Sequence, residues 1–171
     1  MSITARWGII ASVALMTSFT AYYSVHDPNV GQSAITTTFR GVGILSLVLA
    51  IFLSIYFNAK EDPKGMDFKK TLQEGMKTGL LAIVLYSIYN YFYLSSFNPD
   101  YIERLVNFRI EAIEASASDQ ALKDQQIAQV AENLAPFKRV TQDVLKLLAI
   151  SSMGAFMGSV LLKFWTQRFS L

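Results

Sequence analysis

Apolar residues in this chain gather into four long stretches, approximately Trp7 to Tyr23, Gly41 to Phe57, Gly79 to Phe97 and Leu147 to Trp165, separated by polar segments. At 1.5 Å of rise per residue, each stretch roughly covers a hydrocarbon layer of ~30 Å. The pattern predicts an all-α polytopic membrane protein. Four transmembrane helices are expected over about residues 5–24, 36–58, 75–97 and 138–166, within one membrane domain spanning 1–171.

The longest polar segment, about residues 98–136, carries a helical pattern of its own. Asn98, Pro99 and Asp100 supply a cap, a proline at the first helical position and an acid in the first turn. Ile102, Leu105, Val106, Phe108, Ile110 and Ile113 then form an apolar face, with Glu103, Arg104, Arg109, Glu111 and Glu114 around it. Ser116 to Asp119 reads as a break, and Leu122, Ile127, Val130 and Leu134 give a second, weaker amphipathic helix ending by Pro136. The prediction is an extracytoplasmic amphipathic hairpin between the third and fourth spans. It could lie on the membrane, present a face to a partner or fold over the bundle mouth, and the last is the expectation. Glu111 and Glu114 share a face, but neighbouring Arg104 and Arg109 account for them as ion-pair partners, so no metal site is assigned.

Hydrophobic content of 52% and a mean hydropathy of +0.32 are modest for four spans because the hairpin dilutes them. The net charge of +2 argues against a nucleic-acid partner, since the basic residues sit mainly beside spans. Cysteine is absent, which removes disulfides, thiolate metal sites and thiol redox chemistry. Lys60, Lys64, Lys69, Lys70 and Lys77 crowd the connection between the second and third spans, and dense lysine beside span ends favours the cytoplasm. Both termini are then cytoplasmic, in agreement with Arg6, Lys163 and Arg168. The turn group Glu61, Asp62, Pro63, Lys64 and Gly65 reads as an ordinary topology determinant rather than an anionic-lipid contact. Phe19 and Tyr22 spoil any signal-peptidase pattern near Ser18 to Ala21, so the first span is expected to be a retained helix.

Within the spans, small residues recur at four-residue spacing, which lets helix backbones approach where no hydrophobic force drives helices together in lipid. The line of Ser151, Gly154, Ala155, Gly158 and Ser159 is expected to serve helix packing, and it is the best candidate for association with a second copy or another membrane protein. Tyr86, Tyr89 and Asn90 in the third span need hydrogen-bond partners at depth, and form either an interhelical clamp or a polar pocket for a lipid head group. No Asp, Glu or His falls in the middle of a span, which argues against proton relays and ion-coupled transport. His26, beside Asp27 and Pro28, reads as a helix-end or turn residue. No phosphate loop, catalytic triad or metal-ligand spacing is recognised, so no catalytic residue, cofactor or metal is expected and the chain reads as non-enzymatic.

Met66-Asp67-Phe68 leading into the third span, Tyr89-Asn90-Tyr91-Phe92-Tyr93, Asn98-Pro99-Asp100-Tyr101 and the long helical loop together resemble the bacterial membrane family filed as domain of unknown function 4199. The resemblance covers essentially the whole chain and implies a bacterial cytoplasmic (inner) membrane location, but it brings no activity and no site residue. It also implies a setting in envelope biogenesis, near polyprenyl-phosphate glycosyltransferases. The expected function is a non-enzymatic membrane subunit or adaptor, associating with itself or another membrane protein among membrane lipids. The alternative is a lipid-handling accessory partner of such a glycosyltransferase, and a small pore ranks third.

Overall fold

A computed structural model describes residues 1–26, 33–62, 67–116 and 119–168. Among them run the helices α1 (Ile3–Val25), α2 (Ala34–Glu61), α3 (Phe68–Phe92), α4 (Pro99–Glu114), α5 (Gln120–Leu134) and α6 (Pro136–Arg168). A π-helical turn, Tyr93–Phe97, extends α3 toward α4. By length and composition, α1, α2, α3 with its π turn and α6 as far as Phe164 can each cross a membrane. The chain is therefore an all-helical membrane protein with the hairpin α4–α5 between its third and fourth spans.

The helices end at caps rather than where hydropathy falls. Ser2, Ser33 and Asp67 accept hydrogen bonds from the backbone N–H groups of Ala5, Thr36 and Lys70, each satisfying a donor that a helix start otherwise leaves free. Because Asp67 sets its start, α3 begins seven residues before the expected 75, and Glu74 becomes part of a span helix. By contrast α6 runs unbroken from Pro136, within two residues of the expected 138, and so carries a polar start ahead of the apolar stretch at Leu147. Asn98 occupies the position before α4 but caps nothing with its side chain, which instead donates to the Tyr93 hydroxyl at 3.4 Å. The expected break falls between Glu114 and Gln120, and the Asp119 carboxylate accepts from the Gln120 N–H at 2.8 Å to start α5. The turn group around Pro63 to Met66 and the residues Asp27 and Pro28 lie outside the described residues.

In the bundle, α2 and α3 pack against each other, with α1 and α6 on opposite sides of that pair. Its polarity is inverted relative to a water-soluble bundle. Val13, Leu45, Leu49, Leu80, Ile88, Met153 and Phe156 face outward, while Ser12, Ser54, Thr78, Ser151 and Ser159 are buried. In lipid an outward leucine loses nothing, so close packing between small side chains and interhelical hydrogen bonds hold the helices together. Gly75 shows how close the approach is. A Cβ there would lie 2.9 Å from the Ala155 Cβ and 2.8 Å from the Ile55 Cδ1.

The bundle has two unlike ends. At the end carrying the α2–α3 connection, here called the loop end, α1, α2 and α3 are tied by polar side chains. The Thr78 hydroxyl donates to Ser54 Oγ at 2.7 Å, Thr4 donates to the Glu74 carboxylate at 2.5 Å, and Asn58 Nδ2 reaches the Ser54 carbonyl at 2.8 Å and Thr4 Oγ1 at 3.3 Å. Lys77 donates to the other Glu74 oxygen at 2.6 Å. The opposite end carries the α4–α5 hairpin, anchored by the buried Tyr101 and Leu105 of α4 and by the partly buried Leu134 of α5. Lys138 and Glu132 pair across Pro136, which ties the end of α5 to the start of α6.

Candidate functional site

At the hairpin end, aromatic and polar side chains from five elements converge. Phe19, Tyr22, Tyr23 and His26 lie along one side of α1 at three- and four-residue spacing, the geometry that stacks neighbours on a helix face. Tyr86 and Asn90 come from one turn of α3, Tyr93 from the π turn and Tyr101 from the first turn of α4. The rings interlock. Tyr23 and Tyr101 meet edge to face at 4.9 Å, Phe19 and Tyr86 lie 5.0 Å apart, Tyr22 and His26 stack at 4.9 Å, and Tyr93 stacks on Tyr23 at 5.9 Å. His26 thus ends α1 as expected, and its Nδ1 is hydrogen-bonded to the Tyr101 hydroxyl at 3.3 Å. Burial first, and then the neighbouring Tyr22 phenol, push the Tyr101 hydroxyl well above its ordinary value, so it stays a neutral partner.

Arg139 and Asp143 enter the same cluster from α6. Asp143 is only 5% exposed, and its charge acts on Tyr23, Tyr86 and Arg139. Arg139 is half-buried and lies close enough for its charge to be felt by Asp143 and by the phenols of Tyr23, Tyr101 and Tyr22, without a direct hydrogen bond or ion pair to them. These two residues enlarge what the sequence shows. The central turns of the spans hold no acid, but α6 starts early enough to carry Asp143 into the interior two turns from its start. Ionisable groups held at such depth are costly and mark sites. A signal for them existed: Val140, Asp143, Leu147 and Ser151 share one helical stripe, and all four are buried.

Of the three residues expected to form a polar clamp or pocket, two share the cluster and one is satisfied beside it. Tyr86 and Asn90 are 0% and 1% exposed. The Tyr89 hydroxyl instead pairs with Thr20 Oγ1 at 2.8 Å, a clamp between α1 and α3. Inside the cluster the bonding does not close. Tyr23 Oη, Tyr86 Oη, Asn90 Nδ2 and Arg139 Nε are buried, and none has a hydrogen-bond partner. Asn90 and Tyr86 both approach the Tyr23 hydroxyl, but none of these contacts reaches hydrogen-bond geometry. A buried donor without a partner costs about 1–3 kcal/mol, so four together at one place call for a cause. Chemically the cluster offers two phenols, an amide N–H and a guanidinium N–H, held rigidly by ring packing, to the oxygens of an incoming polar group.

The small-residue line of α6 is used within the chain. Ser151, Ala155 and Ser159 are buried, and Ser151 lies so close to Gly79 of α3 that a Cβ there would come within 1.7 Å of its Oγ. Gly158 lets Ile55 of α2 approach to 2.9 Å of where its Cβ would be, and Gly154 faces Val48 and Ile51 more loosely at 3.8 Å. These contacts account for the line as packing against α2 and α3. Among the described residues no group of three His, Asp or Glu side chains is placed to hold a metal ion.

The fold is that of a polytopic membrane protein with four candidate spans and a buried cluster of polar and aromatic side chains at one end of its bundle. The model of the family described as protein of unknown function (DUF4199) matches residues 6–163, and the chain belongs to that family. No curated protein and no solved structure matches it.

Proposed function

We propose that this protein is a non-enzymatic membrane subunit that receives the polar group of an amphiphile at the hairpin end of its bundle. The observation that carries this reading is the set of four buried, unpartnered polar atoms on Tyr23, Tyr86, Asn90 and Arg139, gathered beside Asp143. An amphiphile suits the position because the bundle wall around it faces lipid, while the hairpin and the first turns of α6 lie where polar side chains resume. The phenols and the amide would orient the ligand's oxygens, and the ring stack would hold them in place without reorganisation.

A second reading, an adaptor that docks another membrane protein, is favoured by the hairpin itself. Its anchorage is concentrated at Tyr101 and Leu105, while Arg104, Glu111 and Leu122 stay exposed on its outer faces. Purification of the full chain in mild detergent, with lipid and protein mass spectrometry, separates the two. The leading reading expects an amphiphile enriched over bulk lipid at near-stoichiometric level, and depleted from the Tyr86→Phe/Asn90→Leu variant. A bound lipid profile equal to bulk and unchanged by that variant would leave ordered water as the partner of these atoms and refute the reading. A stoichiometric protein partner lost on removing residues 104–130 would move the assignment to the adaptor.

A further inference from the structure

Above the buried cluster, the hairpin and α6 enclose an open cleft of about 650 Å³. Its walls carry Arg109 from α4, Gln126, Gln129 and Asn133 from α5, and Arg139 and Gln142 from α6. Among the described residues no carboxylate lines it. Asp143 lies beneath and acts on Arg139, which leaves Arg109 as the excess positive charge of the cleft. Glu132, the acid nearest in sequence on α5, is already paired with Lys138. Four amide side chains beside two guanidinium groups make a wall that is rich in donors and short of negative charge.

We infer that this cleft is a binding site for an oxyanion, a phosphate or carboxylate group, held between Arg109 and Arg139. The guanidinium fork presents parallel N–H donors that match two oxygens of such a group, which an ammonium cannot do. Arg139 is placed to serve both levels. It lines the cleft, its charge acts on the phenols of the cluster, and its buried Nε has no partner. An anion seated there therefore sits at the mouth of the cluster, and the amides of Gln126, Gln129, Asn133 and Gln142 can satisfy its remaining oxygens. The inference rests on the amphiphile reading and gives that ligand a charge. The same chemistry fits a lipid head group or a free anion.

The test uses the full chain in a neutral detergent, with thermal unfolding followed as probe is added. The probes are inorganic phosphate, dioctanoyl phosphatidic acid and dioctanoylglycerol, which has the same chains and no phosphate. The expected result is stabilisation by phosphatidic acid at a concentration at least tenfold below that needed of dioctanoylglycerol. Arg109→Gln should weaken the phosphatidic acid effect about tenfold, whereas Arg104→Gln, an exposed residue of the same helix outside the cleft, should leave it unchanged. Arg109 is exposed, so its replacement does not threaten the fold; Arg139→Lys then tests the fork, and should weaken binding although the charge is kept. Stabilisation by inorganic phosphate as well would identify a free-anion site, and stabilisation by phosphatidic acid alone a head-group site. Equal action of the two lipids, indifferent to Arg109→Gln, would overturn the anion preference while amphiphile binding stands. No stabilisation by any probe would overturn both.

Discussion

The two ends of this bundle are built on opposite rules. At the loop end, Thr4, Ser54, Asn58, Glu74 and Thr78 bond to one another across three helices, and Gly75 lets α6 come within contact distance of α3. At the hairpin end, large rings fill the same kind of space, and the polar atoms of Tyr23, Tyr86, Asn90 and Arg139 remain without partners. One end has its polar groups satisfied and its backbones close; the other is rigid but chemically open. Because these atoms are buried without a protein partner, that openness is a cost. On the proposed function, the loop end is scaffold and the hairpin end is the candidate site.

The largest test of this contrast breaks the charge balance of the site. Replacing Arg139 with Met removes a positive charge that acts on the buried Asp143 and should cost up to about 3 kcal/mol in unfolding equilibria, less than breaking a directly bonded buried ion pair, because the two side chains make no ion-pair contact. The double variant Arg139→Met/Asp143→Leu should recover most of that loss. If the double variant is no better than the single, the two residues are not electrostatic partners. Next comes the scaffold: Gly75→Leu drives side-chain atoms into Ala155 and Ile55 and should cost about 1–3 kcal/mol or more. Gly41→Leu, where a Cβ would meet nothing within 4 Å, should cost far less, and equal losses would deny the close approach of α3 and α6.

The sharpest comparison comes from deleting one hydroxyl at each end. Thr78→Val removes a made bond to Ser54 and should destabilise by about 0.6 kcal/mol, the mean for interhelical bonds in lipid. Tyr86→Phe removes an oxygen that bonds to nothing, and should leave ligand-free stability unchanged or raise it by up to about 1 kcal/mol. Both variants losing stability alike would mean that the two ends are equally satisfied. The smallest effect belongs to the joint between hairpin and α6. Hydrogen bonding to Lys138 lowers the Glu132 carboxyl below its ordinary range, so its contribution exists above the unfolded-state value and fades as pH falls through the folded one. Hydrogen exchange at residues 134–138 should rise modestly over that acid range, less so at high salt, and a flat profile would remove the pair from the account of how the hairpin is held.

Four spans and a hairpin were legible because apolar length and helix-start chemistry are local properties, visible in Trp7 to Tyr23 or in Asn98-Pro99-Asp100 without any tertiary contact. Tyr86 and Asn90 stood out for the same reason, as polar groups placed deep in an apolar stretch. Arg139 and Asp143 did not. They lie in the polar first turns of the expected 138–166 span, and which of those side chains faces inward is decided by how α6 packs in the bundle. The glycines of α6 were legible as a packing line, but which neighbour they meet depends on α2 and α3 sharing the centre of the bundle. Tyr89 shares the polar aromatic pattern of Tyr86 and Asn90, yet one residue along a helix turns the side chain by about 100°, enough to take it out of the cluster and onto Thr20.

The most direct measurement is an experimental density map of the protein in lipid nanodiscs prepared from its native membrane, inspected between Tyr23, Tyr86, Asn90 and Arg139. The account expects non-protein density larger than a water molecule, within hydrogen-bond distance of at least two of those atoms and continuous with the cleft beside Arg109. Density for isolated waters alone, or side chains that have turned to bond one another, would contradict it.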